Sequence, residues 1–165
     1  MEVLQMSIKR RALIGALCGL VAVVAAGCGG AAPVEIPAAG PLPEGARYSG
    51  VWYSPEFDQM YLRQVGDDVR GVYAHGYGGT IEGKIEGDLL VFKWIEPGDR
   101  NTATPTQKGR GYFKLSQGEE GLVLKGKWGY DDSPVNGGVW TAERTREMDE
   151  GDPKTLEEYR EKNVK

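Results

Sequence analysis

Residues 109–130 read GRGYFKLSQGEEGLVLKGKWGY. Within them, Gly111-Tyr112-Phe113 and Gly126-Lys127-Trp128 each set a glycine two residues before a large side chain. Strand residues two apart face the same side, so each triplet puts a glycine and a bulky group on one face. Between the triplets lies Gln117-Gly118-Glu119-Glu120, which suits a hairpin connection. The stretch predicts two antiparallel strands with alternating small and large residues on one face.

The triplet recurs in both directions, as Gly50-Val51-Trp52, Gly71-Val72-Tyr73, Gly83-Lys84-Ile85 and Gly138-Val139-Trp140. Leu90, Phe92 and Trp94 continue it without the glycine. Alternation between turn signals predicts strands at about 48–53, 59–65, 69–75, 79–85, 88–95, 109–116, 121–130 and 137–144. The expected core is Trp52, Tyr73, Phe92, Trp94, Phe113, Trp128 and Trp140. The other face carries Arg70, Glu82, Lys84, Lys93, Lys114, Lys125, Lys127 and Glu143, and is expected to be wet. Glycine weakens a strand, but repeated inward glycines let a sheet coil tightly around large neighbours. The fold class expected over 48–146 is therefore all-β: an eight-stranded antiparallel up-and-down barrel, with a half-open β-sandwich as the competing arrangement. Eight strands enclose room for packed side chains or one small ligand.

The amino terminus is of a different kind. Lys9, Arg10 and Arg11 precede an uncharged run from Ala12 to Ala26, too short for a membrane span and of signal-peptide length. Met6 is a more natural start than Met1. The run ends in Val24-Ala25-Ala26-Gly27-Cys28, which resembles the lipobox of bacterial lipoproteins. The resemblance implies cleavage of residues 1–27, a diacylglyceryl group on the Cys28 thiol, and a membrane partner reached through that anchor. Cys18, preceded by bulky Leu17, does not fit the pattern. The alternatives are ordinary cleavage after Ala26 and a retained membrane helix. Gly29 stands where Asp commonly retains such lipoproteins at the inner membrane, which implies the outer membrane in a Gram-negative cell.

Residues 29–47 are mostly Gly, Ala and Pro and are expected to be a spacer without a core. At about 3.1 Å per residue such a segment reaches roughly 60 Å. Charge narrows the classes further. The whole chain carries −4; losing residues 1–27 removes three of the 20 basic and one of the 24 acidic side chains, leaving −6. With no basic block, nucleic acid is not an expected partner. The two cysteines lie at 18 and 28, so no disulfide framework is available to the domain.

The barrel strands also carry a resemblance. Gly50-Val51-Trp52 opens the first strand and Trp140-Thr141-Ala142-Glu143-Arg144 forms the last. This is similar to the calycin group of lipocalins and avidins, where a Gly-x-Trp begins the first strand and, in lipocalins, a basic residue of the last strand packs over it. The resemblance implies that Arg144 lies over Trp52 as a cation–π stack. The polar pattern of an avidin biotin pocket is not found.

Parity places the longer connections, 54–58, 76–78, 96–108 and 131–136, at one end, opposite the tight turns 66–68, 86–87 and 117–120. Loops on a rigid scaffold are the usual place for binding. The candidate binding residues there are Phe57, His75, Tyr77, Asp99, Arg100 and Asp131, with Glu56, Glu96 and Asp132 beside them. Catalysis is not expected. His75 is the only histidine, and no serine or mature cysteine has a nucleophile's setting. Asp67-Asp68, Glu119-Glu120 and Asp131-Asp132 lack the alternating ligand spacing of a calcium loop, so no metal or other cofactor is expected. Residues 147–165 are mostly charged. Asp152-Pro153 is a possible helix start, with Glu158 and Lys162 at i,i+4, in a solvated tail or docking segment.

Three functions compete. The favoured one is a non-enzymatic envelope lipoprotein whose barrel binds an envelope protein or organises the surface. The second is a carrier of a small apolar ligand inside the barrel, and the third an inhibitor of a secreted protease. A void of several hundred Å3 opening among the long loops would favour the carrier.

Overall fold

A computed structural model of the chain describes residues 36–99 and 102–163. Eight strands follow in order: β1 (Gly50–Ser54), β2 (Asp58–Val65), β3 (Asp68–Tyr73), β4 (Gly79–Glu86), β5 (Leu89–Glu96), β6 (Gln107–Gln117), β7 (Leu122–Tyr130) and β8 (Gly138–Arg146), then helix α1 (Leu156–Asn163). Each strand pairs antiparallel with the next, and β8 returns to β1, so the sheet is a closed up-and-down barrel. Cys28 and the rest of the expected signal and lipobox, like Arg100, lie outside the described residues.

The register explains the glycines. One inward row across the sheet runs Gly83, Phe92, Gly111, Trp128, Gly138, and the next runs Ile85, Leu90, Phe113, Gly126, Trp140. Glycine and bulk alternate around the barrel as well as along each strand. A Cβ on Gly111 would come within 2.5 Å of Phe92 Cζ. The space an alanine would need there is already filled by the neighbouring ring. Trp52, Tyr73, Phe92, Trp94, Phe113 and Trp140 are buried, while Trp128, nearer the mouth, is only partly so. The core cluster draws on residues from 42 to 142 and its strands pair only with one another. The domain from residue 36 onward therefore contains its own core and its own closed sheet, everything needed to fold by itself.

The expected spacer is not free as far as Arg47. Gly40 and Asp88 are doubly joined: Gly40 N donates to Asp88 Oδ1 at 2.6 Å, and Asp88 N to Gly40 O at 3.0 Å. Lys114 Nζ donates to Ala38 O at 3.0 Å. Leu42 packs on the core and Ala46 is buried. Tyr48, fully buried, donates its hydroxyl to Asp88 O at 2.7 Å and its carbonyl accepts from Trp52 Nε1 at 2.9 Å. Apolar and backbone contacts thus draw the second half of the Pro-rich segment across the tight-turn end of the barrel.

The carboxy-terminal segment also departs from a solvated tail. Val51, Tyr61 and Val72 point outward from β1, β2 and β3, and Tyr159 of α1 buries them with Met148 and Leu156 packed around. The outer face is therefore not wet throughout. Thr155 caps the helix, its Oγ1 accepting from Glu158 N at 3.2 Å, while Glu158 Oε2 accepts from Lys154 N at 2.7 Å. Glu158 and Lys162 do not form the expected i,i+4 pair, because Lys162 instead donates to Gly151 O. Arg146 and Asp152 hold the turn into the helix as a bidentate pair, at 2.7 and 2.6 Å.

Candidate functional site

Four connections share the open end of the barrel: 55–57, 74–78, 97–106 and 131–137. The longest is ten residues, shorter than the thirteen expected, because β6 begins at Gln107. It is braced as a small finger. Asp99 and Thr104 form an isolated bridge, and Thr102 Oγ1 donates to Asp99 Oδ2 at 3.1 Å. Asp131 turns the chain at positive φ, and its N–H donates to Lys108 O at 3.1 Å. That bond ties the β7–β8 turn to the start of β6.

Phe57 is the lid of this end. Ser54 Oγ accepts from the backbone N–H of Glu56 and Phe57 at 3.3 and 3.2 Å, folding the connection into a serine turn. Ser54 Oγ in turn donates to Glu56 Oε2 at 2.9 Å, and the Glu56 carboxylate also accepts from Thr141 Oγ1 at 3.1 Å, which pins the connection to β8. Burial works against ionisation of Glu56, but these hydrogen bonds outweigh it and hold its carboxyl below the ordinary value. Phe57 is thereby turned inward. Its ring lies 4.1 Å from Trp140, 5.4 Å from Trp128 and 5.3 Å from His75, and it is 7% exposed. Sequence reasoning set Phe57 among loop residues; its role is to close the mouth.

Below the lid the interior is nearly full. The cavity lined by Phe57, Tyr73, Trp94, Trp128 and Trp140 measures about 30 Å3. That is room for a water molecule, against the several hundred Å3 of a ligand site. Glu96 closes its polar edge. His75 Nδ1 is 3.0 Å from Glu96 Oε1. Burial first, then the Glu96 charge and hydrogen bond, push the Tyr73 phenol far above its ordinary value, so Tyr73 is neutral and un-ionised. Among the described residues no group of three or more His, Cys, Asp or Glu side chains gathers as metal ligands.

The six residues expected at this end therefore divide. Phe57 and His75 meet in edge-to-face contact. Tyr77 turns to the tail: its carbonyl accepts from Arg160 Nε at 2.9 Å, while its ring is 43% exposed. Asp99 and Asp131 stand on separate loops, and Arg100 lies outside the described residues. Sequence reasoning missed Tyr130, 43% exposed, which packs edge-on against Trp94 and Trp128 and adds an aromatic to the rim. Its position at the end of β7, two residues after Trp128 on the same inward alternation, was the available signal.

At the opposite end Arg144 sits directly across from Trp52 in the β1–β8 ladder. Its side chain lies on Gly50, where a Cβ would approach Nε to 2.6 Å, and its guanidinium pairs with Glu147. The basic residue of the last strand thus covers the glycine of Gly-x-Trp, and Trp52 N–H is taken by Tyr48 O. The closed eight-stranded antiparallel barrel is compatible with a calycin-like barrel. Comparison with protein-family models, curated proteins and solved structures finds no match, so a functional reading rests on these residues and their geometry.

Proposed function

We propose that the chain is a non-enzymatic cell-envelope lipoprotein, held to a membrane through a diacylglyceryl group on Cys28, that presents the open end of its barrel to another envelope protein. The observation that carries this reading is the filled interior under a fixed lid. With about 30 Å3 free beneath Phe57, recognition falls to the outside of the mouth rather than to an enclosed ligand. The rim offers Tyr77 and Tyr130, both 43% exposed, beside His75, Asp99 and Asp131. Aromatics edged by charged groups are what protein interfaces favour at their centres. The carrier reading requires Phe57 to leave Trp140 and Trp128 before any ligand enters. In a Gram-negative cell the address is the outer membrane.

The test replaces 97–106 with a tight turn and couples a photocrosslinker at Tyr77 or Tyr130 in the otherwise intact protein. Loop shortening costs little folding free energy. The expected result is a discrete crosslinked partner at both rim positions that disappears in the shortened variant. An unchanged crosslink after shortening, or a partner captured only from the 118–121 turn, would place function at the other end.

A further inference from the structure

The outward positions of β5, β6 and β7 form a wall unlike the rest of the molecule. They are Leu89, Val91, Lys93 and Ile95 on β5, Lys108, Arg110, Tyr112, Lys114 and Ser116 on β6, and Val123, Lys125, Lys127 and Gly129 on β7. Six are cations and none is an anion, in a chain whose net charge is negative. The ladder sets them side by side: Lys93 opposite Arg110, Ile95 opposite Lys108, Tyr112 opposite Lys127 and Lys114 opposite Lys125. Cations opposed across a ladder repel one another. Among the described residues Lys114 is the only one of the six with an ion pair, to Asp88 at 3.0 Å. Acidic groups border the wall: Glu82, opposite Lys93 and paired with Arg70, on one side, Glu143 opposite Val123 on the other, Glu119 and Glu120 in the β6–β7 turn, Asp88 at the lower turn, and Asp131 and Asp132 at the rim.

We propose that this wall lies against the anionic phospholipid surface of the membrane that holds the anchor, an inference that rests on the lipoprotein reading above. Two observations favour a bilayer over any other polyanion. The first is where the chain enters the domain. Ala38 is bonded to Lys114, at the lower margin of the wall itself. Ala38 stands ten positions beyond Cys28, a reach of about 36 Å at full extension. An anchor at Cys28 would therefore let the wall reach the lipid. The second is the make-up of the wall. Val91, Ile95 and Tyr112 sit among the cations, and Ile95 is 45% exposed. Apolar and tyrosine side chains suit the headgroup layer between the charges. The net negative charge is no obstacle. The Debye length is about 8 Å at physiological ionic strength, shorter than the barrel is wide, so the bilayer senses the nearest wall. Docked this way, the protein keeps its loop end free at the side.

The test uses the domain 36–165, which lacks the anchor and carries its whole core, with vesicles of phosphatidylcholine alone or mixed equally with phosphatidylglycerol. A basic residue near an anionic surface strengthens association about fivefold. The expected result is sedimentation with the anionic vesicles only, lost at high salt. The triple variant Lys93→Glu, Arg110→Glu, Lys127→Glu should bind at least about 100-fold more weakly, while Lys154→Glu with Lys162→Glu on the tail binds as the parent does. Melting curves establish that each variant is folded. Equal binding to both vesicle types, no binding to either, or an unaffected triple variant overturns the proposal. So does capture by dextran sulfate or duplex DNA without capture by anionic vesicles, which would make the wall a polyanion site. Labelling of Cys28 with a radioactive fatty acid is scored separately, so failure of the wall and failure of the anchor are told apart.

Discussion

On the outside of β1–β3, Val51, Tyr61 and Val72 make an apolar row that the carboxy-terminal segment covers with Tyr159. On the outside of β5–β7 the corresponding positions carry Lys93, Lys108, Arg110, Lys114, Lys125 and Lys127, and α1 packs elsewhere. Both walls obey the same period-2 alternation, and both enclose the same aromatic interior. What differs is the cost of leaving each in water. An exposed apolar row forgoes roughly 25 cal/mol per Å2, enough to hold down a short helix that is marginal alone. A cationic row is well hydrated and resists burial unless a counter-charge arrives. One wall is covered within the chain, whereas the other stays in water.

The shared interior sets the largest effect. Trp52→Ala and Trp140→Ala should each cost about 3–5 kcal/mol in denaturant melts, the usual price of truncating a buried aromatic. The partly buried Trp128 should cost less. If Trp52→Ala melts with Lys125→Ala, the inward and outward faces have been exchanged and the comparison of walls collapses.

The covered wall comes next. Tyr159→Ala should lose about 2 kcal/mol, most of the burial of one large side chain, and hydrogen exchange should quicken in residues 147–163 and in β1–β3 rather than in β5–β7. Uniform exchange across the barrel would mean that the tail covers nothing of consequence.

Acid should loosen the same wall. Hydrogen bonds from Arg146 hold the Asp152 carboxyl below its ordinary value, against the opposing effect of burial. A depressed carboxylate stabilises the fold above its unfolded pKa of about 3.9 and loses that contribution as pH falls through the lower folded value. Melting temperature should therefore drop below about pH 4, and Asp152→Asn should be less stable at neutral pH with a shallower acid limb. An acid limb identical in Asp152→Asn and the parent would assign the loss to other carboxylates.

The bare wall is expected to matter least for stability. Lys125→Ala and Lys127→Ala should shift the unfolding free energy by about 0.5 kcal/mol or less, as surface changes do. A stabilisation well above that would mean that crowding of like charges strains β6 and β7.

The barrel was legible because its glycines and rings are spaced by two. Gly111-Tyr112-Phe113 and Gly126-Lys127-Trp128 name both the period and the inward face, and closure follows from eight such strands with tight turns. The two ends of the domain were less legible. The Pro-rich run to Arg47 has the composition of a spacer, and only Asp88, 48 residues from Gly40, reveals what holds it. Tyr159 is one aromatic in a charged run, and the row it covers is split among three strands. The cationic wall escaped for a related reason. Alternation spaces its lysines along three strands, so no basic block forms in the chain although one forms on the sheet. At the mouth, the loop end was readable by parity, but the inward turn of Phe57 depends on Ser54 and on Glu56 reaching Thr141, 85 residues away.

The central claim is that this barrel is held to a membrane through Cys28, and the mass of the amino-terminal peptide from membrane-purified protein tests it most directly. The account predicts that the mature chain begins at Cys28 and carries a diacylglyceryl group, and that Cys28→Ser releases the domain from the membrane fraction. A mature chain beginning at Gly27, or at any other residue with Cys28 unmodified, would contradict it.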